Sequence, residues 1–328
     1  MICITGGSGF IGSQLGLHLA ERQQGFQNLD IRPGVFAPER RIDCDICDID
    51  ALRRHMQGET VIHLAAVHRD DVRPRSRYHE VNVTGTGNIA RIAREKGIER
   101  IVFASSVAVY GFAPPDTGED GAINPFNDYG RTKFAAEEIL REWQREDSAR
   151  RSLTIIRPTV VFGPGNRGNV FNLLSSIARG RFLMIGNGRN RKSMAYVGNI
   201  AAFLHHAASF GPGMHLFNYV DKPDLDMNAL VSLVRKRLLD KDGVGLRLPF
   251  WLGMAAGHAA DAAARVSGRN LPISAIRVRK FCATTSFASA AHGVAGFSAE
   301  TGLAEAIDLT LQHEFLAPDP GAPVFHTE

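Results

Sequence analysis

Ile2-Cys3-Ile4-Thr5-Gly6-Gly7-Ser8-Gly9-Phe10-Ile11-Gly12 stands at the head of the chain, and an amphipathic stretch from Ser13 to Arg22 follows it directly. A short apolar run, a glycine turn and a helical periodicity in that order read as strand, turn and helix. Without Cβ atoms at Gly6 and Gly9 the backbone can approach a pyrophosphate closely. The amides of the next helix around Phe10, Ile11 and Gly12, at the positive end of its dipole, then face the phosphate charge. The spacing Gly6-x-x-Gly9-x-x-Gly12 differs from the usual dinucleotide pattern and is weak by itself. Asp30 strengthens it. This residue ends the next strand-like segment about 20 residues on, where a carboxylate accepts both hydroxyls of an adenosine ribose and repels a 2′-phosphate. The expected cofactor is NAD, with Arg32 keeping NADP open.

Outward from this turn the chain alternates strands and helices. Thr60 to Ala66, Arg100 to Ser106 and Leu153 to Pro158 are apolar runs of buried parallel-strand type. The repetition predicts an α/β fold, a Rossmann-type doubly wound parallel sheet with a smaller C-terminal substrate lobe. Ligands of such a sheet sit beyond the carboxyl ends of its strands, so the loops after Ala66, Ser106 and Pro158 are the ones to watch. Gly163-Pro164-Gly165 and Gly186-Asn187-Gly188 mark a change of texture. Residues 1–165 are expected to hold the cofactor, with a segment of about 192–210 returning to that domain, and 166–328 to form mainly the substrate lobe. The tail from Pro318 to Pro323 is expected to be loose.

Composition suits a soluble enzyme. The 328 residues are 44% apolar and 22% charged, ordinary for a globular protein and enough for a large core. No apolar run reaches the 18 or so residues of a membrane span, and no signal peptide precedes the first strand, which points to the cytoplasm. Net charge is +4 and the pI near 9.0. No Lys/Arg block with interleaved aromatics accompanies it, so nucleic acid is not an expected partner; a phosphate-bearing substrate or an anionic membrane face accounts for the excess better. Cys3, Cys44, Cys47 and Cys282 are too few for a disulfide framework. Cys44-x-x-Cys47 lacks a second Cys or His pair, and no metal site is expected.

The second informative constellation is Ser105-Ser106 at a strand end followed by Tyr129-x-x-x-Lys133. Four residues apart on a helix, the phenol and the ammonium share a face. The fold would bring both to the nicotinamide beside the Ser106 hydroxyl. For Tyr129 to act as a base its phenol must ionise about three units below its reference value, roughly 4 kcal/mol of differential stabilisation. The positive charges of Lys133 and NAD+ are the expected source.

These residues, TGGSGFIG, SSVAVYG and YGRTK, resemble the extended short-chain dehydrogenase/reductase superfamily. Within it the chain is similar to bacterial enzymes that epimerise C4 of N-acetylglucosamine carried on undecaprenyl diphosphate. The stretches that carry this are HRDDV from His68, VNV from Val81, LTIIRPTVVFG from Leu153, NRGNVFNLL from Asn166, KSMAYVGNI from Lys192, NYVDKPDLDMN from Asn218 and VRKFCATT from Val278. The resemblance implies NAD contacts from Asp45, Ile46, Leu64, Ala65, Ala66, Pro158, Tyr129 and Lys133 as well as the glycine turn. It implies a bound 4-keto sugar that turns over and receives its hydride on the other face, in the making of a surface polysaccharide such as O-antigen. It also implies a homodimer through the helices expected at Tyr78 to Glu95 and Tyr129 to Arg145. Substrate contacts are expected from His68, Arg69, Ser106, Val107, Tyr129, Asn166, Arg167 and Lys192, with Arg69, Arg167 and Lys192 on the diphosphate.

What is missing narrows the choice. Sugar 4,6-dehydratases of the superfamily carry an Asp-Glu pair directly after the hydroxyl residue, and this chain has Val107-Ala108. Many sugar-nucleotide epimerases carry Asn where this chain has Val160. An NADPH-dependent 4-ketoreductase would use the same three residues, and Asp30 counts against it; a dinucleotide sensor without chemistry would need neither Tyr129 nor Lys133. Whether the carrier is UDP or a polyprenyl diphosphate stays open. Finally, Pro249 to Ala256 is unusually apolar and leads into an alanine-rich helical stretch ending near Arg265, with Arg269, Arg277, Arg279 and Lys280 beyond. Such a segment is either a buried helix of the substrate lobe or a peripheral membrane contact at the inner face of the cell membrane.

Overall fold

The computed structural model describes residues 1–69, 71–267 and 274–327; Asp70 and Arg269, both named above, lie outside them. Strands β1 (Ile2–Thr5), β2 (Phe26–Asp30), β3 (Arg41–Asp43), β4 (Thr60–His63), β5 (Arg100–Ala104) and β6 (Ser152–Pro158) share one sheet. The minor strands are β7 (Val160–Phe162), β8 (Met184–Ile185), β9 (Met194–Tyr196) and β11 (Arg247–Leu248), and β10 (Gly213–Tyr219) comes between the last two in the chain. The seven-stranded sheet runs in the order β10-β6-β5-β4-β1-β2-β3, and every pairing in it is parallel.

Side chains alternate across a strand, and here the alternation feeds two cores. Cys3, Val61, Ile101, Phe103, Leu153 and Ile155 point to one face. Ile2, Ile4, Ile62, Val102 and Ile156 point to the other. The first face is covered by α2 (Ile49–His55), α4 (Thr86–Lys96) and α5 (Asp128–Arg145), through Leu52, Ile89, Ile92, Leu140 and Trp143. A short α3 (Ser76–His79) and a π turn lead into α4 without a break. The second face is covered by α1 (Phe10–Glu21) and α7 (Val197–Ala207), through Leu15, Leu19, Ile200, Phe203 and Leu204. Two covered faces explain why these strands read as unbroken apolar runs.

A third core builds the lobe beyond the sheet from α6 (Asn169–Ala178), α8 (Met227–Leu239) and α11 (Leu303–Leu311), with Leu174, Val231, Val234 and Ile307 at its centre. Helices α9 (Phe250–Ser267) and α10 (Ala275–Cys282) pack on each other at the side of this lobe. One detail departs from the sequence reading, and a second lies just beyond the tail segment that it named. The return to the sheet does not stop near 210 but runs on through β10 to Tyr219. The end of the tail is tied down: Phe325 bridges to Asn166, exchanges backbone hydrogen bonds with Gly165 and Arg167, and its ring lies 5.6 Å from that of Phe10.

Candidate active site

Strand order reverses between β1 and β4, so the crevice of the sheet opens where the glycine turn and the Leu64-Ala65-Ala66 loop meet. Gly6 has φ +78, and a Cβ there would lie 2.4 Å from the Ala65 nitrogen; only glycine fits. A Cβ on Gly9 would meet nothing nearer than the Gly6 carbonyl oxygen at 3.4 Å. Gly9 also gives α1 no side-chain cap, so the first-turn amides around Phe10 and Ile11 keep their donors for a ligand. Asp30 closes the other side. Its carboxylate accepts from the Ser8 amide at 2.9 Å and from the Arg32 amide at 2.8 Å, which fixes it at the end of β2 against the turn. These features fit the pyrophosphate and adenosine ribose of NAD.

Across the crevice, α5 lines up its chemistry on one face. Asn127 caps the helix by accepting from the Gly130 amide at 2.9 Å, and the residues that follow place Tyr129, Lys133 and Glu137 one turn apart. Ser106 ends the β5 segment and accepts from the Ala108 amide at 3.1 Å. That contact leaves the Ser106 proton free to favour the ionised form of the neighbouring Tyr129 phenol. The expected pull of Lys133 on Tyr129 does not register: burial raises the phenol above its ordinary value, and Ser106 is what lowers it. Lys133 itself is 2% exposed, with Nζ 4.0 Å above the Phe103 ring. Burial pulls its pKa down to about 7, against an upward pull from Glu137. Burial thus disfavours charge on both groups.

The cations expected on the diphosphate are not brought together. Arg69 is forked onto Asp71 at 3.0 and 2.6 Å. Arg167 pairs with the buried Glu314 at 2.9 Å and stacks over Phe171. Lys192 Nζ donates to the carbonyls of Lys280 and Ala283 and to Thr285, which pins α10 to the lobe. Asn166 is buried, donating to the Val161 carbonyl and accepting from Thr327. His68 is held below its usual pKa by desolvation and by Arg32, Lys133 and Arg69, against an upward pull from the Ala66 backbone. What opens beside Tyr129 is another cavity of about 300 Å³, lined by Arg73, Arg75, Tyr78, Phe126, Asn127, Asp128 and Arg131.

A model of the NAD dependent epimerase/dehydratase family matches residues 2–218, two thirds of the chain and all of the crevice. The chain belongs to that family. It is 45% identical over 96% of its length to N-acetyl-alpha-D-glucosaminyl-diphospho-ditrans,octacis-undecaprenol 4-epimerase of Escherichia coli O157:H7, covering 95% of that protein. Among solved structures, MoeE5 in complex with UDP-glucose and NAD is 27% identical, with a TM-score of 0.70 over 95% of this chain and 97% of that one. UDP-glucose 4-epimerase of Thermotoga maritima shares the fold with a TM-score of 0.72 over 95% of this chain and 97% of that one, at 22% identity.

For an epimerase of this family, the remaining residues sort into support and bystanders. Ile46 is buried against Gly85, and Asp45 accepts from the Cys47 amide at 2.9 Å. Burial raises the Cys44 thiol to about 11 and the Cys47 thiol to about 12, the reverse of a reactive or metal-binding pair. Leu64 joins β1 by donating its amide to Thr5, and Pro158 ends β6 beside Tyr219. Sequence reading gave no role to Asn82, which clamps the post-β4 loop by exchanging two hydrogen bonds with Val67 and donates to Thr132 of α5. It also missed Glu137 and Arg157, a buried pair at 2.9 and 2.6 Å. Ser105 donates to Glu137 at 2.5 Å and Arg157 to Tyr110 at 2.7 Å, so this pair sets the floor under Ser106 and Lys133.

Proposed function

We propose that the protein inverts C4 of an N-acetylhexosamine linked through a diphosphate to a polyprenol, in the building of a surface polysaccharide. The observation that carries this reading is the near full-length 45% identity to the undecaprenol-linked epimerase, together with the Ser106, Tyr129 and Lys133 arrangement at the crevice.

When bound, NAD supplies the acceptor and then the donor of the C4 hydride. The chain's own groups handle the proton. Tyr129 takes the O4 proton as the C4–H bond breaks, and Ser106 donates to O4 as it becomes a carbonyl. Lys133 would hold the nicotinamide ribose, and the positive charge of the bound cofactor would favour the ionised phenol that burial of Tyr129 opposes. With NAD bound, the 4-keto sugar would turn in the pocket to present its opposite face, and Tyr129 would then give the proton back to O4. Elimination is left out, because Val107 and Ala108 offer neither acid nor base.

The same reading puts the enzyme at a membrane surface as a homodimer. No helix among the described residues is long and apolar enough to cross a membrane. Helix α9 instead exposes Phe250, Trp251 and Leu252 at 44%, 67% and 36%, and a polyprenyl substrate cannot leave the bilayer. The dimer uses the outer faces of α4 and α5, and light scattering of a monomer at micromolar concentration overturns that part. The main test offers the purified protein UDP-N-acetylglucosamine and the undecaprenyl-linked sugar side by side. Epimerisation of the lipid-linked sugar without added cofactor, with NAD released on denaturation, supports the reading. Turnover of the UDP sugar alone, or net NADPH oxidation, overturns it.

A further inference from the structure

Phe112 and Phe126 are 71% and 51% exposed, yet their rings stack on each other 4.7 Å apart. Large apolar side chains left in water as an ordered pair point to something that covers them. The pair stands between two neighbours. On one side Phe126 forms a wall of the 300 Å³ cavity beside Tyr129. There Arg75 and Arg131 both pair with Asp128, at 3.4 and 2.5 Å, and Arg73 donates to the Val72 carbonyl. Three guanidinium groups around one carboxylate leave the cavity with excess positive charge. On the other side Lys280 of α10 reaches over both rings, with Nζ 5.7 Å from the Phe112 centroid and 5.6 Å from that of Phe126. Beyond it α10 exposes Ile276 at 55% and packs on α9, where Gly257 lies against Ala275 and Gly253 against Val278.

We propose that this cavity and its aromatic rim recognise the carrier: the diphosphate lies against Arg73, Arg75 and Arg131, and the first isoprene units of a polyprenol cross the Phe112–Phe126 pair under Lys280 toward the α9–α10 surface. The order of chemistry along the path matches the order along the ligand. Sugar at Tyr129, anion at the arginines, and hydrocarbon on the phenylalanines follow one another. Lys280 suits the junction, since its ammonium faces phosphate oxygens while its stem and the rings cover the chain. A uridine would stack on the same rings, but it has no use for the apolar groups that α10 and α9 expose, Ile276 on the one and Phe250, Trp251 and Leu252 on the other. The inference rests on the C4 epimerisation of a lipid-linked sugar proposed above.

The test compares kcat/KM for the N-acetylglucosaminyl diphosphate of undecaprenol, in detergent micelles, with that for the same sugar diphosphate capped by a methyl group. The double variant Phe112→Asn, Phe126→Asn should lower the ratio of the two at least tenfold while NAD content per chain stays at the wild-type level. Lys280→Gln, a single surface change, should lower it severalfold. Ratios unchanged in both variants, with wild type active on the lipid-linked sugar, overturn this inference alone. A wild type inactive on the lipid-linked sugar overturns the proposed function and the carrier path with it. A larger loss on UDP-N-acetylglucosamine than on the lipid-linked sugar assigns the aromatic pair to uracil and overturns the path.

Discussion

Arg157 of β6 and Glu137 of α5 meet between the sheet and that helix as a two-point ion pair, Nε to Oε1 at 2.9 Å and Nη2 to Oε2 at 2.6 Å, with 2% and 0% of their side chains exposed. Removing one partner of such a pair leaves a buried charge without compensation, at a cost of about 3–5 kcal/mol. Glu137→Ala should therefore lower Tm steeply. A double change of Glu137 and Arg157 to methionine should recover most of the loss, as read by thermal denaturation of NAD-free protein. Recovery of stability without recovery of turnover would show that the pair also positions Ser106 and Lys133. A Glu137→Ala protein as stable as wild type counts against the pairing.

Tyr129→Phe removes one oxygen from a site whose ring packing stays in place. Loss of a positioned acid–base group costs about 10²–10⁴-fold, so turnover should fall by at least that factor while NAD still copurifies. Activity within tenfold of wild type would sink Tyr129 as the base.

Gly6 and Gly9 separate a folding requirement from a binding one. Gly6→Ala forces a Cβ into the Ala65 backbone at 2.4 Å with φ +78, so both Tm and NAD content should drop. Gly9→Ala meets only the Gly6 carbonyl at 3.4 Å and fills the space held for phosphate oxygens. Its Tm should stay near wild type in NAD-free protein while NAD affinity falls at least tenfold by calorimetry. Undiminished affinity in Gly9→Ala would remove the turn as the pyrophosphate cradle.

The crevice was legible in the sequence because its signals are local. A glycine turn between strand and helix, a carboxylate at the next strand end, and Tyr129 four residues before Lys133 each announce themselves within a few residues. Glu137 extends that row by one more turn, yet a carboxylate on a helix next to Arg141 reads as a solvated face until Arg157 is known to reach it from β6 on the same side of the sheet. The partners that the expected substrate-side cations find within the chain were hidden for the same reason. Lys192 finds its acceptors on the α10 segment and Arg167 its partner in Glu314, far along the chain, whereas Arg73, Arg75 and Arg131 gather around Asp128 only once α3 lies beside α5. The tail gives no local sign that Phe325 will pair with Asn166.

Burial holds Lys133 at about 7 against an ordinary 10.5, which makes stability depend on pH in a stated direction. Below pH 7 the side chain is protonated in both states, and the whole cost of burying the ammonium is present. Between 7 and 10.5 the unfolded chain keeps a proton that the folded one has lost, so stability rises with pH across that window. Lys133→Met should consequently raise Tm of NAD-free protein more at pH 6 than at pH 10. An equal change at both would place the ammonium in a solvated site.

Helix α9 decides whether the enzyme reaches a bilayer. Gly253 and Gly257 turn toward Ile185, Val278 and Ala275, so the helix spends its small residues on the lobe and leaves Trp251, Leu252 and a run of alanines facing solvent. A buried helix of the lobe would do the opposite. In the proposed membrane contact the exposed aromatic and aliphatic groups would enter the interface, while Arg279 and Lys280 would meet anionic head groups. The wild-type protein should float with liposomes containing anionic phospholipid at low salt and lose part of that binding as salt screens the charges. Trp251→Glu should cut the floated fraction severalfold without lowering Tm, since its side chain touches little of the lobe. No flotation of wild type at low salt, or flotation indifferent to the substitution, would remove α9 as the membrane contact.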